Sequence, residues 1–210
     1  MSYQLHQTEG IVLGRWPRGE ADAVLRLYTS DYGSVTLLAK GIRLEKSRLR
    51  GAVDLFSRSH IGFISGKETY RLTYAQLQNG HASLHASFAR YRAAGHAADM
   101  FRRAVADGEA DSLLWLLLEE TFLLFSGDAF QIEKLPLYLR SFEVKFLKQL
   151  GYLPELMPRS VRMVAFSPLG FSNGAFSAKE MRELSLFLRP LLQYALTQRW
   201  EIASAYSENK

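Results

Sequence analysis

The chain has 210 residues, 48% apolar and 12% aromatic, which is enough to bury a sizeable core and excludes a disordered polypeptide. It contains no cysteine, which excludes disulfides and cysteine-ligated zinc and fits a reducing cytoplasm. The longest apolar run, Leu113 to Leu118, is too short to cross a membrane, and no apolar leader follows Met1, so we expect a soluble cytoplasmic protein.

The formal net charge of +5 is unevenly distributed. Residues 1–80 carry 11 Lys and Arg against 7 Asp and Glu, whereas residues 81–210 carry 15 against 14. A basic excess confined to one predicted module indicates a polyanionic partner for that module.

Period-two alternation of apolar residues predicts about five short strands in the first 80 residues. The predicted strands cover 10–13, 23–29, 35–40, 53–64 (one long strand or two) and 69–75. Turns are predicted at Asp31-Tyr32-Gly33 and Gly66-Lys67-Glu68. These strands favour a small closed barrel, since closure removes exposed edges, and an SH3-like barrel is the competing interpretation.

From about Ala82 the apolar period changes to 3.6, which predicts a helical region and a boundary near residue 80. Residues 82–106 favour a helix, and residues 112–125, apolar nearly all round, predict a buried central helix. The next helix ends at Gly151, before Pro154. Residues 155–176 look irregular, and a capping box from Ser177 to Glu180 opens a final helix that is interrupted near Pro190.

Enzyme motifs are not found. "GFISGKET", residues 62–69, resembles a phosphate-binding loop, but its glycine spacing is one residue short and Glu68 replaces the hydroxyl residue, so it predicts a hairpin turn. His81 and His85 have the spacing of two metal ligands without a third, which favours a surface or capping role. A hydrolase with scattered catalytic residues is the remaining enzymatic alternative.

One segment stands out by charge. We call residues 39–56, "AKGIRLEKSRLRGAVDLF", the basic segment; it holds five cations and, before Asp54, a single acid, Glu45. We expect it to project from the barrel as a cationic hairpin that contacts phosphates, because cationic grooves with aromatic platforms bind single strands. The predicted DNA-binding residues are Arg15, Arg18, Arg26, Lys40, Arg43, Lys46, Arg48 and Arg50, and the candidate stacking residues are Tyr28, Tyr32, Phe56 and Tyr70.

Several motifs resemble those of the RecO family of recombination mediator proteins. The first block shares Gly-Glu-Ala-Asp at 19–22, Tyr28-Thr29, Gly33, Ala39-Lys40-Gly41 and Ser47-x-Leu49-x-Gly51. "LRSFEVKFLKQLGYLPEL" is similar to the family's Phe-Glu…Leu-Gly-Tyr-x-Pro helix, and "VAFSPLGFSNGAF" resembles its Phe-Ser-Pro-x-x-Gly-Gly-Phe stretch. The resemblance spans most of the chain.

The resemblance implies an α+β protein with an N-terminal five-stranded OB-fold barrel at 1–80, an all-helical domain at 81–210 and no catalytic centre or cofactor. It also implies binding of single- and double-stranded DNA and annealing of complementary strands in recombinational repair. The implied partners are RecR and single-stranded-DNA-binding protein, with which a family member helps to load recombinase, and the implied location is the cytoplasm, in association with the nucleoid. Many members carry a four-cysteine zinc site near the Phe-Ser-Pro stretch, and a chain without cysteine lacks it.

Family members are also understood to dock the acidic, phenylalanine-ended tail of single-stranded-DNA-binding protein on the helical domain. Arg140, Lys145 and Lys148 surround an apolar helix face and are the predicted partner-binding residues. The alternative to a DNA-binding protein is a protein–protein adaptor whose barrel binds a partner and whose basic segment is incidental.

Overall fold

The computed structural model describes residues 4–66, 69–170 and 176–207, with side chains of the last helix described to residue 197. The chain forms two compact units, Met1–Trp115 and Leu116–Lys210. Strands give way to helices after Asn79, near the predicted boundary at residue 80, but the first two helices belong to the first unit. A domain boundary at residue 80 stays a prediction.

The first unit contains a closed five-stranded barrel with the strand order β1-β2-β3-β5-β4. Its strands are β1 (Leu5–Arg18), β2 (Asp22–Thr29), β3 (Gly33–Ala39), β4 (Arg58–Ser65) and β5 (Tyr70–Asn79). β3 and β5 pair in parallel and the other neighbours pair antiparallel, with β1 closing the barrel against β4. The OB-fold prediction is confirmed over the SH3-like alternative.

The barrel interior is filled by the residues that the period of two selects. Ala23, Leu25 and Leu27 of β2 point inward, as do Val35, Leu37 and Ala39 of β3, and all six are buried in one apolar cluster. Their partners across the ladder, such as Leu25 opposite Leu37, fix the register that places both rows on the same face.

The fourth strand begins later than predicted. Residues 53–57 are not extended, and a short 3-10 turn, Arg50–Ala52, precedes them. The main-chain oxygen of Ala52 accepts hydrogen bonds from the hydroxyls of Ser57 and Ser59, and Phe56 has a φ of 69°. A left-handed residue cannot continue a strand, so β4 starts only at Arg58. The turn between β4 and β5 joins paired strands, as predicted, but Lys67 and Glu68 lie outside the described residues.

Helices α1 (Ala82–Ala86) and α2 (Phe88–Ala104) follow the barrel. The alanines of α2 allow close packing, and its Phe101 ring lies edge-on to Tyr28 at 5.1 Å between centroids. Tyr28 is fully buried and its hydroxyl donates to the main-chain oxygen of Asp111 at 3.3 Å. Burial raises the pKa of Tyr28 to about 12, because a buried phenolate would lose its hydration.

Helix α3 (Ser112–Ser126) is less buried than its composition predicts. Leu114, Leu118 and Phe122 are buried, whereas Leu113, Leu116 and Leu123 are roughly half exposed, Leu113 at 58%. The exposed leucines recur at three- and seven-residue intervals and therefore share one stripe of the helix. The prediction of a helix buried on all sides was wrong. An apolar composition alone does not ensure that every face of a helix has another element to pack against.

The second unit packs α4 (Leu135–Gln149), α5 (Arg159–Phe166) and α6 (Ala178–Ser207) around a common apolar cluster. Gly151, with a φ of 77°, ends α4 as predicted: its N–H donates to Lys148 and that of Tyr152 donates to Leu147, the pattern of a Schellman motif. The predicted capping box is confirmed, since Ser177 and Glu180 exchange hydrogen bonds of 2.8 and 3.3 Å.

Two predictions in the second unit were wrong. The segment 155–176 contains helix α5, whose Val161, Val164 and Ala165 are buried in the cluster. Burial of these three side chains stabilises the short helix, although the sequence carries no strong helical pattern there. Helix α6 continues through Pro190. The proline removes one main-chain hydrogen bond, but Leu188 and Ala195 are buried on either side of it and hold the helix.

None of the helices that the structure describes is long and apolar enough to cross a membrane.

Candidate nucleic-acid interface

The basic segment is a compact succession of turns, not the projecting hairpin that we predicted. Hydrogen bonds between main-chain groups three residues apart link Leu44 to Gly41, Ser47 to Leu44, and Arg50 to Ser47. Ile42 and Val53 are fully buried in the barrel cluster and fix both ends of the turns. A hairpin was the wrong prediction because these two apolar residues pull the segment back onto the barrel.

The cations of the basic segment all lie on its solvent side. Lys40, Arg43, Lys46, Arg48 and Arg50 are exposed. Between them the buried Ile42 and the partly buried Leu49 pack against the barrel. Inward apolar side chains thus lie between outward charged side chains along the segment. The arrangement holds five cations on a surface whose main chain is fixed by hydrogen bonds.

The turn between β1 and β2 adds a sixth exposed cation. The guanidinium of Arg43 donates from Nη1 to the main-chain oxygen of Gly19 at 2.8 Å, next to Arg18. The main chain is joined here too, because Arg43 N–H donates to Ala21 and Gly41 N–H donates to the carboxylate of Asp22. Arg18 therefore belongs to the same surface as the basic segment.

Ion pairing separates the eight predicted DNA-binding residues into two groups. Within the described ranges no ion pair is formed by Arg18, Lys40, Arg43, Lys46, Arg48 or Arg50. Arg15 pairs with Asp54 at 2.6 Å, and Arg26 pairs with Asp107 while donating to Thr36 Oγ1 at 2.8 Å. The charges of the six unpaired residues are available to a ligand, whereas those of Arg15 and Arg26 are balanced within the unit.

The structure divides the candidate stacking residues between the core and the surface. Tyr28 and Phe56 are buried, whereas the half-buried Tyr32 and the 41% exposed Tyr70 pack around Phe63 at 5.4 and 5.2 Å between ring centroids. Trp16, which is 45% exposed near the end of β1, is not among the residues predicted from the sequence. Its position between Arg15 and Arg18, in the same module as the basic segment, was the signal that pointed to it.

His81 and His85 lie at the junction between sheet and helices, as predicted: His81 directly precedes α1 and is buried, whereas His85 lies in the last turn of α1 and is exposed. His81 is 4% exposed, and burial, with Arg58 and His85 nearby, lowers its pKa to about 4. In the part of the chain that the structure describes, no group of three or more His, Asp or Glu side chains is placed to hold a metal ion.

The three predicted partner-binding residues lie on α4 in different environments. Arg140 pairs with the buried Glu143 at 2.5 Å, and Lys145 donates to the main-chain oxygen of Ser167. Burial, and then the neighbouring ammonium of Lys148, lowers the pKa of Lys145. Lys148 is exposed and its Nζ lies 3.9 Å from the centroid of Phe166, a ring that is itself 70% exposed.

A closed barrel of this strand order, carrying a fixed cationic surface and followed by helices, defines an OB-fold protein with a helical second part. Residues 1–81 match the family model described as Recombination protein O N terminal, and residues 85–208 match Recombination protein O C terminal. The chain belongs to the RecO family.

Curated relatives carry the name DNA repair protein RecO. The relative from Pelotomaculum thermopropionicum is 33% identical over 172 residues, 81% of this chain and 65% of that protein. The relative from Heliobacterium modesticaldum is 32% identical over 155 residues, 73% of this chain and 54% of that protein. The relative from Thermoanaerobacter sp. is 29% identical over 153 residues, 73% and 60% of the two chains. The chain thus spans less than two thirds of the length of these relatives.

Proposed function

We propose that this chain is a non-enzymatic DNA-binding protein of recombinational repair that anneals complementary strands. The observation that carries the proposal is the exposed surface formed by six cations on the barrel unit, none of which is in an ion pair within the described ranges. Such a surface binds the phosphate backbone and releases its condensed counterions. Membership of the RecO family and the names of the relatives support the same proposal.

The chemistry of the surface suits annealing. Two bare strands repel each other, and a cationic surface that holds one strand lowers the repulsion for the second. Contacts to phosphates carry no sequence information, so strands of any sequence are brought together. The same contacts can form with single- and double-stranded DNA. A protein that binds DNA in this way is expected in the cytoplasm, in association with the nucleoid.

The test is binding of labelled single-stranded DNA across a series of salt concentrations. Five phosphate contacts give a slope of log affinity against log salt of about −3.5 on a single strand. Reversing the charges of Arg43, Lys46, Arg48 and Arg50 to glutamate should abolish most of the affinity and flatten the slope. The matched control reverses four exposed cations of the second unit: Arg162, Lys179, Arg182 and Arg189.

Both variants change the net charge equally. The difference between their DNA affinities therefore reports the position of the charges and not their total. Equal losses in the two variants, or wild-type binding that is weak even at low salt, would favour the adaptor alternative. Far-ultraviolet circular dichroism checks that both variants fold. In an annealing assay with complementary strands, the wild type, the control variant and the basic-segment variant should rank in the same order as their DNA affinities.

We propose RecR and the tail of single-stranded-DNA-binding protein as partners, with the tail on the second unit. An acidic tail that ends in phenylalanine needs an apolar contact beside a cation, and Lys148 with the exposed Phe166 and Met163 supplies both. Arg140 is paired with Glu143 and the half-buried Lys145 donates to Ser167, whereas Lys148 is exposed and its hydrogen bond to the main-chain oxygen of Ala165 is long, 3.4 Å, so Lys148 is the main candidate. Lys148→Ala should weaken binding of a tail peptide, and Arg162→Ala should not. A tail peptide that binds both variants equally would place its site elsewhere.

A further inference from the structure

A pocket of about 870 Å³ lies between strand β1 of the barrel and helix α2, within the first unit. Trp16 and Tyr91 line it and are 45% and 40% exposed, so that both rings are accessible from solvent. Behind them Phe56 lies 5.4 Å from Tyr91 and 5.9 Å from His85 between ring centroids. Rings that are arranged this way and open to solvent accept a flat, aromatic guest.

Glycines keep the pocket open. Gly95 lies inside α2, where glycine is less favourable than alanine, yet a Cβ at this position would meet no atom within 4 Å. Gly51, in the basic segment, is equally uncrowded. Packing does not demand glycine at either position, and side chains there would extend into space that a ligand can occupy.

A third glycine, Gly14, contacts the side chain of Trp16. Its indole lies directly on Gly14, so that a Cβ on Gly14 would collide with Cη2 of the ring. The guanidinium of Arg102 lies over the indole, 5.6 Å from its centroid, and is itself oriented by Asp99 at 2.8 Å. Indole and guanidinium planes are both surfaces on which nucleobases stack.

The pocket adjoins the cationic surface. Gly51, Asp54 and Leu55 line it and belong to the basic segment, directly after the exposed Arg50. In the wall the carboxylate of Asp54 and the guanidinium of Arg15 balance each other in an ion pair of 2.6 Å, whereas the cations of the basic segment outside form no ion pair within the described ranges and attract phosphates. This charge distribution favours a strand whose backbone stays on the basic segment and whose base enters the pocket.

We propose that the pocket binds one unstacked nucleobase of a DNA strand whose phosphates lie on the basic segment, an inference that rests on the proposed function. Trp16 and Arg102 form the stacking surface, and the space beside Gly95 accommodates the base. The base adds affinity without sequence specificity, because every base has a face that stacks.

The test compares an oligothymidylate with an abasic strand of the same length, which carries the same phosphates and no bases. Wild-type protein should bind oligothymidylate at least about 5-fold more tightly, the ratio expected for stacking of one base. Trp16→Ala and Gly95→Leu should each bring this ratio close to one and leave affinity for the abasic strand unchanged. Trp16→Phe and Gly95→Ala are the matched controls and should keep most of the ratio.

Each outcome separates the inference from the proposed function. If the wild type binds both strands tightly and with nearly equal affinity, the proposal of a base-binding pocket is wrong and the proposed function still holds. A ratio that survives in both Trp16→Ala and Gly95→Leu would place the stacking elsewhere and also overturn the pocket. Absence of binding to either strand at low salt would defeat the proposed function, and the inference with it.

Discussion

The guanidinium of Arg43 donates to the main-chain oxygen of Gly19, 24 residues earlier in the chain, and so fastens the basic segment to the turn between β1 and β2. Arg43 is exposed and carries a charge that DNA can use, but it also holds two loops together. Lys46 is exposed in the same segment and has no such contact within the described residues. The two residues therefore have different roles despite their equal charge.

We expect Lys46→Ala to reduce the salt slope of single-strand binding by about 0.7, the effect of one phosphate contact, with stability unchanged. Arg43→Ala should reduce the slope similarly and also lower the free energy of unfolding by about 1 kcal/mol, because one hydrogen bond is lost. Urea unfolding together with the salt series measures both quantities. Equal stability of the two variants would show that the contact to Gly19 contributes nothing.

Arg26 should act on stability and not on DNA binding. Its side chain is only 15% exposed and is held by Asp107 and Thr36. We expect Arg26→Ala to lower the free energy of unfolding by about 1–2 kcal/mol and to leave the salt slope unchanged. A double-mutant cycle with Asp107→Ala should give a coupling energy of about 0.5–1 kcal/mol. A flattened slope in Arg26→Ala would return Arg26 to the DNA-binding residues.

The buried His81 should make stability depend on pH below neutrality. Its folded pKa, about 4, lies below the ordinary value of 6.5, so the unfolded chain takes up the proton first. Stability is therefore full above pH 6.5 and falls as the pH drops toward 4, by less than about 1.4 kcal/mol per unit once solvent screening is included. Urea unfolding at several pH values measures this slope.

The variant His81→Asn isolates the contribution of the histidine. Asparagine tolerates the left-handed conformation that His81 adopts, with a φ of 44°, and it does not titrate in this range. The variant should lose stability less steeply than the wild type between pH 6.5 and 4. Identical slopes would assign the whole dependence to the other titratable groups of the chain.

Two glycine-to-alanine changes in helical regions should have opposite effects. Gly151 has a φ of 77° and ends α4, so Gly151→Ala should destabilise the protein by about 1–2 kcal/mol. Gly95 lies inside α2 without crowding, so Gly95→Ala should stabilise it by up to about 1 kcal/mol. Thermal unfolding measures both changes. Destabilisation by Gly95→Ala would mean that the methyl group meets a neighbour.

Local patterns predicted most of the first unit. Alternation selected the inward residues of β2 and β3, and the turn at Gly33 was visible from its glycine. The cations of the basic segment were visible as a cluster, but the turns that hold them were not predicted, because Ile42 and Val53 reach the barrel core only in the folded chain. The pocket was not predicted, because Trp16 and Gly95 are far apart in sequence and only folding brings β1 and α2 together around one cavity.

The sequence by itself determined what depends on near neighbours: strand faces, the glycine that ends α4, the capping box, and a basic excess confined to one module. Only the tertiary structure decided which cations are available. Arg26 is paired with a carboxylate 81 residues away, while Arg18 joins cations that lie far along the chain. Charge is a property of each residue, but ion pairing and burial depend on partners that folding brings together, and no local pattern encodes those distances.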